Sequence, residues 1–381
     1  MSIAITSRFD GGAIEVVDLD SKPDLARLRI RPDTAADFAQ WFYFRASGVG
    51  ARSIRYVFEN AGECAYAEGW RDYRVAASYD GQTWFRIDTD YDGQTLQFSH
   101  RAEHDSIYYA YFEPYGEARH QAFMGRVQAS GLARVENLGP TIEGRPLDLV
   151  SVGSGEPVIW IIARQHPGET MAEWFAEGLL KRLLGFDDWR GDPVGRVLRS
   201  LASFRIVPNM NPDGAALGNL RTNAAGANLN REWLEPDRVR SPEVLAVRRA
   251  IEAGRCDMFF DIHGDEVLPY VFVAGSEMLP DFNAEQAAQQ QRFVARFKAL
   301  SPDFQDEFGY AADKYQSDAL KLASKYIAHR FHCLSLTLEM PFKDNADLPD
   351  SRTGWDGARS AALGAAMLGA ILDELRISAH A

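Results

Sequence analysis

His166-Pro167-Gly168-Glu169 places an imidazole and a carboxylate three positions apart, directly after the apolar run Val158-Ile159-Trp160-Ile161-Ile162-Ala163. Such a run reads as a buried strand, so the pair falls where the strand ends. A second run, Met258-Phe259-Phe260-Asp261-Ile262, delivers His263 in the same way and is followed by Gly264. Two imidazole nitrogens and one carboxylate oxygen suit zinc and leave a fourth position open for water, which is what hydrolysis needs and a structural metal site does not. A His-x-x-Glu pair alone arises often by chance, and a histidine at a strand end is more commonly packed or solvated. The reading therefore rests on the combination of segments, each fixed in place by its own apolar strand.

Between these segments lies Pro208-Asn209-Met210-Asn211-Pro212-Asp213-Gly214, followed by Arg221 and by Gly226-Ala227-Asn228-Leu229-Asn230-Arg231-Glu232-Trp233. Asn, Pro, Asp and Gly favour turns, so one reading is a surface loop with two solvated arginines. The other is that so long a loop inside a compact domain serves a site. Arginine suits that second reading because its planar fork grips a carboxylate through two bonds, and the Asn230 amide adds a further donor. Glu339 ends the apolar strand Leu334-Ser335-Leu336-Thr337-Leu338 and precedes Met340-Pro341. A glutamate in that place is either half of a structural ion pair or a general base facing the water.

Two kinds of element must position these groups. Up to about residue 130 the chain reads as short strands, such as Gln40 to Arg45, Ser53 to Phe58 and Ile107 to Phe112, punctuated by the turn signals Asp80-Gly81-Gln82 and Asp92-Gly93-Gln94. That spacing predicts an antiparallel β-sandwich over residues 1–130. Over residues 131–381 buried strands alternate with helical stretches, Met171 to Leu184, Ser241 to Ala253, Glu285 to Leu300 and Trp355 to Leu375, with Ser241-Pro242 as a helix start. This predicts an α/β domain with a mostly parallel or mixed sheet flanked by helices, in which ligands bind beyond the carboxyl ends of the strands. The Ala/Gln stretch Glu285 to Gln291 reads as a solvated helix face.

A net charge of −13 opposes general binding to nucleic acid or to anionic membranes. The first ten residues lack the apolar core of a signal peptide, and no stretch approaches the ~18 apolar residues of a membrane span, so a cytoplasmic location is expected. Cys64, Cys256 and Cys333 are far apart beside apolar neighbours, which predicts reduced core thiols.

Together these segments resemble the M14 zinc metallocarboxypeptidases, and within them the cytosolic carboxypeptidase branch. Trp41-Phe42-Tyr43-Phe44-Arg45, Ser78-Tyr79-Asp80-Gly81-Gln82-Thr83-Trp84 and Tyr109-Ala110-Tyr111-Phe112-Glu113-Pro114-Tyr115 look like the β-sandwich domain that precedes the catalytic domain in that branch. The resemblance implies one zinc ion held by His166, Glu169 and His263, with Glu339 as the base that activates water and passes its proton to the leaving amine. It implies that Arg221 polarises the scissile carbonyl, an interaction commonly contributing ~3 kcal/mol of barrier lowering. Asn230 and Arg231 match the pair that binds the terminal carboxylate of a peptide or protein tail. Tyr315 is similar to the tyrosine that closes over substrate in some relatives. A basic residue between that tyrosine and the catalytic glutamate favours acidic terminal side chains in the branch. Lys321 and Lys325 are read here either as its substitutes or, preferably, as helix-surface lysines. Asp265 and Glu266 are extra carboxylates beside the site, either partners of the ligands or solvated.

The principal expectation is a zinc carboxypeptidase. The alternative among hydrolases is a zinc amidase acting on small N-acyl amino acids or γ-glutamyl peptides, since related deacylases share the ligand pattern and an Asn-Arg pair. From a different class comes a binding protein whose sandwich recognises a partner and whose α/β domain is inert. Retention of the ligands, the base and the arginines argues against that.

Overall fold

The structure is a computed structural model and describes residues 3–22, 24–311, 314 and 316–378. Among the described residues ten strands precede the first α-helix: β1 (Ala4–Thr6), β2 (Glu15–Asp18), β3 (Leu25–Arg29), β4 (Tyr43–Ser47), β5 (Ser53–Phe58), β6 (Val75–Ser78), β7 (Trp84–Ile87), β8 (Asp90–Tyr91), β9 (Leu96–Arg101) and β10 (Ser106–Ala110). They form two five-stranded sheets, β1-β4-β10-β6-β7 and β2-β3-β5-β9-β8. Every pair is antiparallel except β3 with β5. Alternation explains the packing: in β5, Ile54, Tyr56 and Phe58 are buried while Ser53 and Arg55 are exposed, as a half-buried strand requires. Tyr56 stacks on Phe98 of β9 at 4.7 Å and meets Tyr109 of β10 at 4.9 Å, joining the two sheets through aromatic rings. The expected turns at Asp80 and Asp92 close the β6/β7 and β8/β9 hairpins, each aspartate accepting backbone N–H bonds two and three residues on.

Helix α1 (Glu117–Ala129) leads into a seven-stranded sheet of β11 (Ala133–Pro140), β12 (Pro146–Gly153), β13 (Val158–Ala163), β14 (Ser203–Val207), β15 (Met258–Ile262), β16 (Phe272–Ala274) and β17 (Leu334–Glu339). Its order is β11-β12-β14-β13-β15-β17-β16, parallel from β14 through β17 and antiparallel at the edges. The expected mixed sheet is therefore present. Helices α2 (Thr170–Leu184), α3 (Pro193–Leu201), α4 (Pro212–Leu217), α5 (Pro242–Glu252), α6 (Ala284–Leu300), α7 (Ala323–Phe331) and α8 (Gly357–Ser378) complete the chain. Ile159 and Ile161 of β13 share a core with α2 and α8, while Trp160 and Ile162 share one with α5 and α7. The sheet is thus covered on both faces, which is why its central strands read as continuous apolar runs. Helices α2 and α8 cross closely: a Cβ on Gly178 would lie 2.0 Å from the Ala361 carbonyl oxygen, so only glycine fits there.

Helices α1, α3 and α4 were not anticipated, because each is short or carries a weak apolar period, and α7 was anticipated only as a helix bearing surface lysines. Ser241 occupies the cap position of α5, but its hydroxyl accepts from the Asp237 N–H instead of capping the helix. The Ala/Gln stretch of α6 is largely solvated, except for Gln286, which closes a capping box with Asn283. All three cysteines are buried and free.

The sandwich is bound tightly to the α/β domain. Arg86 of β7, partly buried, donates to the carbonyls of Phe342, Thr353 and Trp355, and Tyr111 stacks on Phe342 at 4.5 Å. Helix α1 is held by His120, whose Nδ1 meets Glu173 of α2 at 2.6 Å and whose Nε2 meets Asp148 of β12 at 3.0 Å. Burial disfavours the imidazolium, but the carboxylates of Glu173 and Asp148 override it and push the pKa up to about 10. A raised pKa means this contribution to stability is complete below the unfolded value of about 6.5 and lost as pH rises through about 10. The melting temperature of His120→Gln should therefore lie below that of the wild type at pH 6.5, with the gap closing towards pH 10. A gap independent of pH contradicts this account.

Candidate metal centre and active site

Strands β13, β15 and β17 are adjacent and in register at their carboxyl ends, with Ala163 opposite Ile262 and Ile262 opposite Leu338. The chain crosses from β13 to β14 on one side and later to β15 on the other, so the crevice above them is a topological switch point. The residues just beyond these ends are the ones the sequence singled out. Arg164 leaves β13 in a left-handed conformation, φ 59°, unusual for a side chain of this size. Its buried guanidinium holds that turn by donating to the Pro167 and Tyr115 carbonyls and to Glu173. His166 thereby turns into the crevice and Glu169 sits at the start of α2.

His166, Glu169 and His263 come together, all buried, with a donor atom of each within 4.8 Å of the others. Glu169 Oε1 lies 2.6 Å from His166 Nδ1 and Oε2 lies 2.7 Å from His263 Nδ1, while the two Nδ1 atoms are 3.2 Å apart. That separation is close to the ~3.3 Å edge of a tetrahedron with Zn–N bonds of about 2.0–2.1 Å. The outward nitrogens are fixed. His166 Nε2 meets Asn228 Oδ1 at 3.0 Å, an oxygen oriented by the Asn230 N–H at 3.1 Å, and His263 Nε2 meets Asp261 Oδ1 at 2.9 Å. Asp261 is held in turn by the Gln165 amide, whose oxygen accepts from the Trp233 indole at 2.8 Å.

These outer bonds test whether a cation fits. With Nε2–H donated to Asn228, the His166 Nδ1 lone pair faces a carboxylate oxygen, an arrangement that a divalent cation between them resolves. Burial, then Arg221, push the His166 pKa down to about 3, so this imidazole is neutral as a ligand must be. Burial would raise the Glu169 pKa, but the two histidines hold it below the ordinary range. His263 behaves oppositely: burial disfavours its charge, yet Asp261 and Glu169 raise its pKa well above 6.5. The residues present suit a zinc ion, with His263 surrendering its proton when the metal enters.

Glu339 ends β17 and faces the same cavity, a space of about 580 Å³. Its Oε1 accepts from the Tyr310 hydroxyl at 3.1 Å, and its Oε2 is buried with no hydrogen-bond partner among the described residues. Burial, opposed by His263 and assisted by Glu169, raises its pKa to about 8. Arg221, Asn230 and Arg231 also line the cavity. The Asn230 oxygen accepts from Ala323 N–H at 2.9 Å, which turns its amide nitrogen towards His263. Tyr315 lies outside the described residues.

Three features were missed or misread. Tyr310, whose single hydroxyl proton is shared between Asp265 Oδ2 at 2.6 Å and the more distant Glu339 Oε1, lacks any sequence signal. Asp265 and Glu266 are both buried in the cavity wall, which excludes the solvated reading; Asp265 also accepts the Val267 and Leu268 N–H groups. The preference for helix-surface lysines holds for Lys321, exposed and paired with Asp318, and fails for Lys325. Lys325 lies on the inward face of α7, donates to the carbonyls of Ala274 and Gly275, and lines the cavity beside Thr337. Burial lowers its pKa to about 8.

Zinc binding to the metal-free protein at pH 7 should release at least one proton, from His263 and, as the cation favours its carboxylate form, from Glu339, measurable by calorimetry in buffers of different ionisation enthalpy. Proton release near zero contradicts the assignment. His263→Ala should lose stoichiometric metal.

Comparison with known proteins identifies the family. Residues 5–112 match the family model for the cytosolic carboxypeptidase N-terminal domain, and residues 121–353 match that for zinc carboxypeptidase. A metallo-carboxypeptidase from Burkholderia cenocepacia is similar over 99% of this chain and 100% of its own, with TM-score 0.97 and 62% identity. A metallo-carboxypeptidase from Pseudomonas aeruginosa, solved with (2-guanidinoethylmercapto)succinic acid, aligns over 98% and 100% with TM-score 0.92 and 43% identity. Human cytosolic carboxypeptidase 6 is 27% identical over 371 residues, 88% of this chain and 71% of that protein. With two structural domains that each carry the family's pattern, the chain belongs to the M14 zinc carboxypeptidases and has the N-terminal domain of their cytosolic branch.

Proposed function

We propose that this protein is a zinc-dependent metallocarboxypeptidase that removes carboxy-terminal residues from peptides or protein tails. The observation that carries the reading is the convergence of His166, Glu169 and His263 on one metal-sized site, in a cavity that Glu339, Arg221, Asn230 and Arg231 also line. Zinc held by His166, Glu169 and His263 would act as a Lewis acid and make a bound water acidic enough to be activated near neutral pH.

The remaining work belongs to the chain. Glu339 takes the proton of the attacking water and delivers it to the leaving amine, and a zinc ion beside it would favour the carboxylate form that a base needs. The Arg221 guanidinium, flanked by the Phe38 and Tyr66 rings at 5.7 and 5.5 Å, polarises the scissile carbonyl. Arg231 and Asn230 hold the substrate's terminal carboxylate, which restricts cleavage to chain ends. Lys325 gives the cavity a buried ammonium that recognises an acidic terminal side chain, its compact charge already oriented by two carbonyls.

Glu339→Gln should retain zinc and lose turnover by about 10²–10⁴-fold, since a neutral amide cannot accept the proton. Wild-type turnover in that variant removes Glu339 from the mechanism. A panel of peptides with free and amidated termini, read by mass spectrometry, separates carboxypeptidase from amidase: the proposal requires cleavage of free termini only, and Arg231→Ala should erode that discrimination. The preference for terminal glutamate over leucine should fade as pH rises through about 8, where Lys325 loses its charge, and should vanish in Lys325→Met. An unchanged preference in the variant refutes the role of Lys325.

A further inference from the structure

The loop that carries Arg221 is held by the sandwich as well as by its own domain. Asp33, buried in the segment after β3, accepts hydrogen bonds from three consecutive backbone N–H groups: Leu220 at 2.5 Å, Arg221 at 2.8 Å and Thr222 at 2.8 Å. The Thr222 hydroxyl adds a fourth at 3.0 Å. Successive N–H groups converging on one carboxylate form an anion-binding nest, a stiff arrangement that fixes the backbone direction at each residue. Burial raises the Asp33 pKa while those donors oppose it.

Neighbouring contacts reinforce the nest. Arg31 donates to the carbonyls of Leu217 and Gly218, and the Thr34 N–H donates to Asn219 Oδ1 at 3.0 Å. A Cβ on Gly226 would lie 2.1 Å from the Ala35 carbonyl oxygen, so loop and sandwich meet backbone to backbone. The Arg221 side chain then passes between Phe38 and Tyr66, both from the sandwich, and Tyr66 also lines the cavity. On its other side the loop touches the metal-binding turn, since Gly168 N–H donates to the Leu220 carbonyl at 2.8 Å. One peptide unit thus links Asp33 to the segment between His166 and Glu169.

We infer that Asp33 is a positioning residue for Arg221, so that the sandwich is part of the catalytic apparatus and sets the guanidinium's aim at the scissile carbonyl. The inference rests on the carbonyl-polarising reading of Arg221. A carboxamide at position 33 keeps the size and one acceptor oxygen, but its N–H₂ must face at least the Leu220 N–H, so the nest loses the carboxylate charge and one or more of its bonds without a cavity opening.

A double-mutant cycle on the zinc-loaded protein tests this, with Asp33→Asn, Arg221→Ala and the double variant assayed on a free-terminus peptide. Asp33→Asn should lower kcat at least tenfold with KM within twofold, keep stoichiometric zinc, and weaken binding of a phosphinic peptide in parallel with kcat/KM. In the Arg221→Ala background it should cause no further loss. An undiminished kcat in Asp33→Asn overturns the proposal, as does an equal loss in both backgrounds, which marks a general structural effect. Normal turnover in Arg221→Ala instead overturns the reading of Arg221, and this inference with it. Thr222→Val, which removes one of the four bonds, runs the same cycle at smaller amplitude and serves if Asp33→Asn does not fold.

Discussion

Five carboxylates, those of Glu169, Asp261, Asp265, Glu266 and Glu339, are buried around one crevice, and bringing so much like charge out of water is the constraint that shapes the site. Each answers it differently. Glu169 lies between two imidazoles, Asp261 takes both N–H contacts of the Gln165 amide and His263 Nε2, and Asp265 accepts two backbone N–H groups and the Tyr310 hydroxyl. Glu266 and Glu339 each retain a buried oxygen without a hydrogen-bond partner among the described residues, and burial raises the pKa of both. A divalent cation at the His166/Glu169/His263 cluster would offset this charge at its centre and couple its own binding to the ionisation of Glu339.

The fold answers the same constraint mechanically. Parallel pairing of β13, β15 and β17 brings donors nearly a hundred residues apart to one level, and the helices on both faces exclude water from the strands beneath them. The sandwich closes the crevice from another side. Asp33 fixes the arginine loop, while Arg86 and the Tyr111–Phe342 stack secure the chain just beyond Glu339. A domain that looks separable in sequence is therefore continuous with the core of the catalytic domain.

What could be read from the sequence follows from this arrangement. His166, Glu169, His263 and Glu339 were legible because each follows a continuous apolar strand, and a polar group at such an end has few packing roles. The β6/β7 and β8/β9 hairpins were legible because Asp-Gly turns carry their own local geometry. Lys325 was not, because the short helix α7 offers too few turns to show which face is inward. Tyr310 depends on a loop folding back over β17, and Asp33 accepts from residues nearly two hundred positions away, through backbone groups that leave no side-chain pattern. Long-range backbone recognition of this sort is silent in composition and periodicity alike.

The central claim is that His166, Glu169 and His263 form one zinc site through the inward-facing ring nitrogens. Crystals grown with zinc and measured on both sides of the zinc absorption edge test it most directly. The account predicts a single strong anomalous peak about 2.0–2.2 Å from His166 Nδ1, a Glu169 carboxylate oxygen and His263 Nδ1. A peak elsewhere, or one bound through His263 Nε2 with Asp261 displaced, would contradict it.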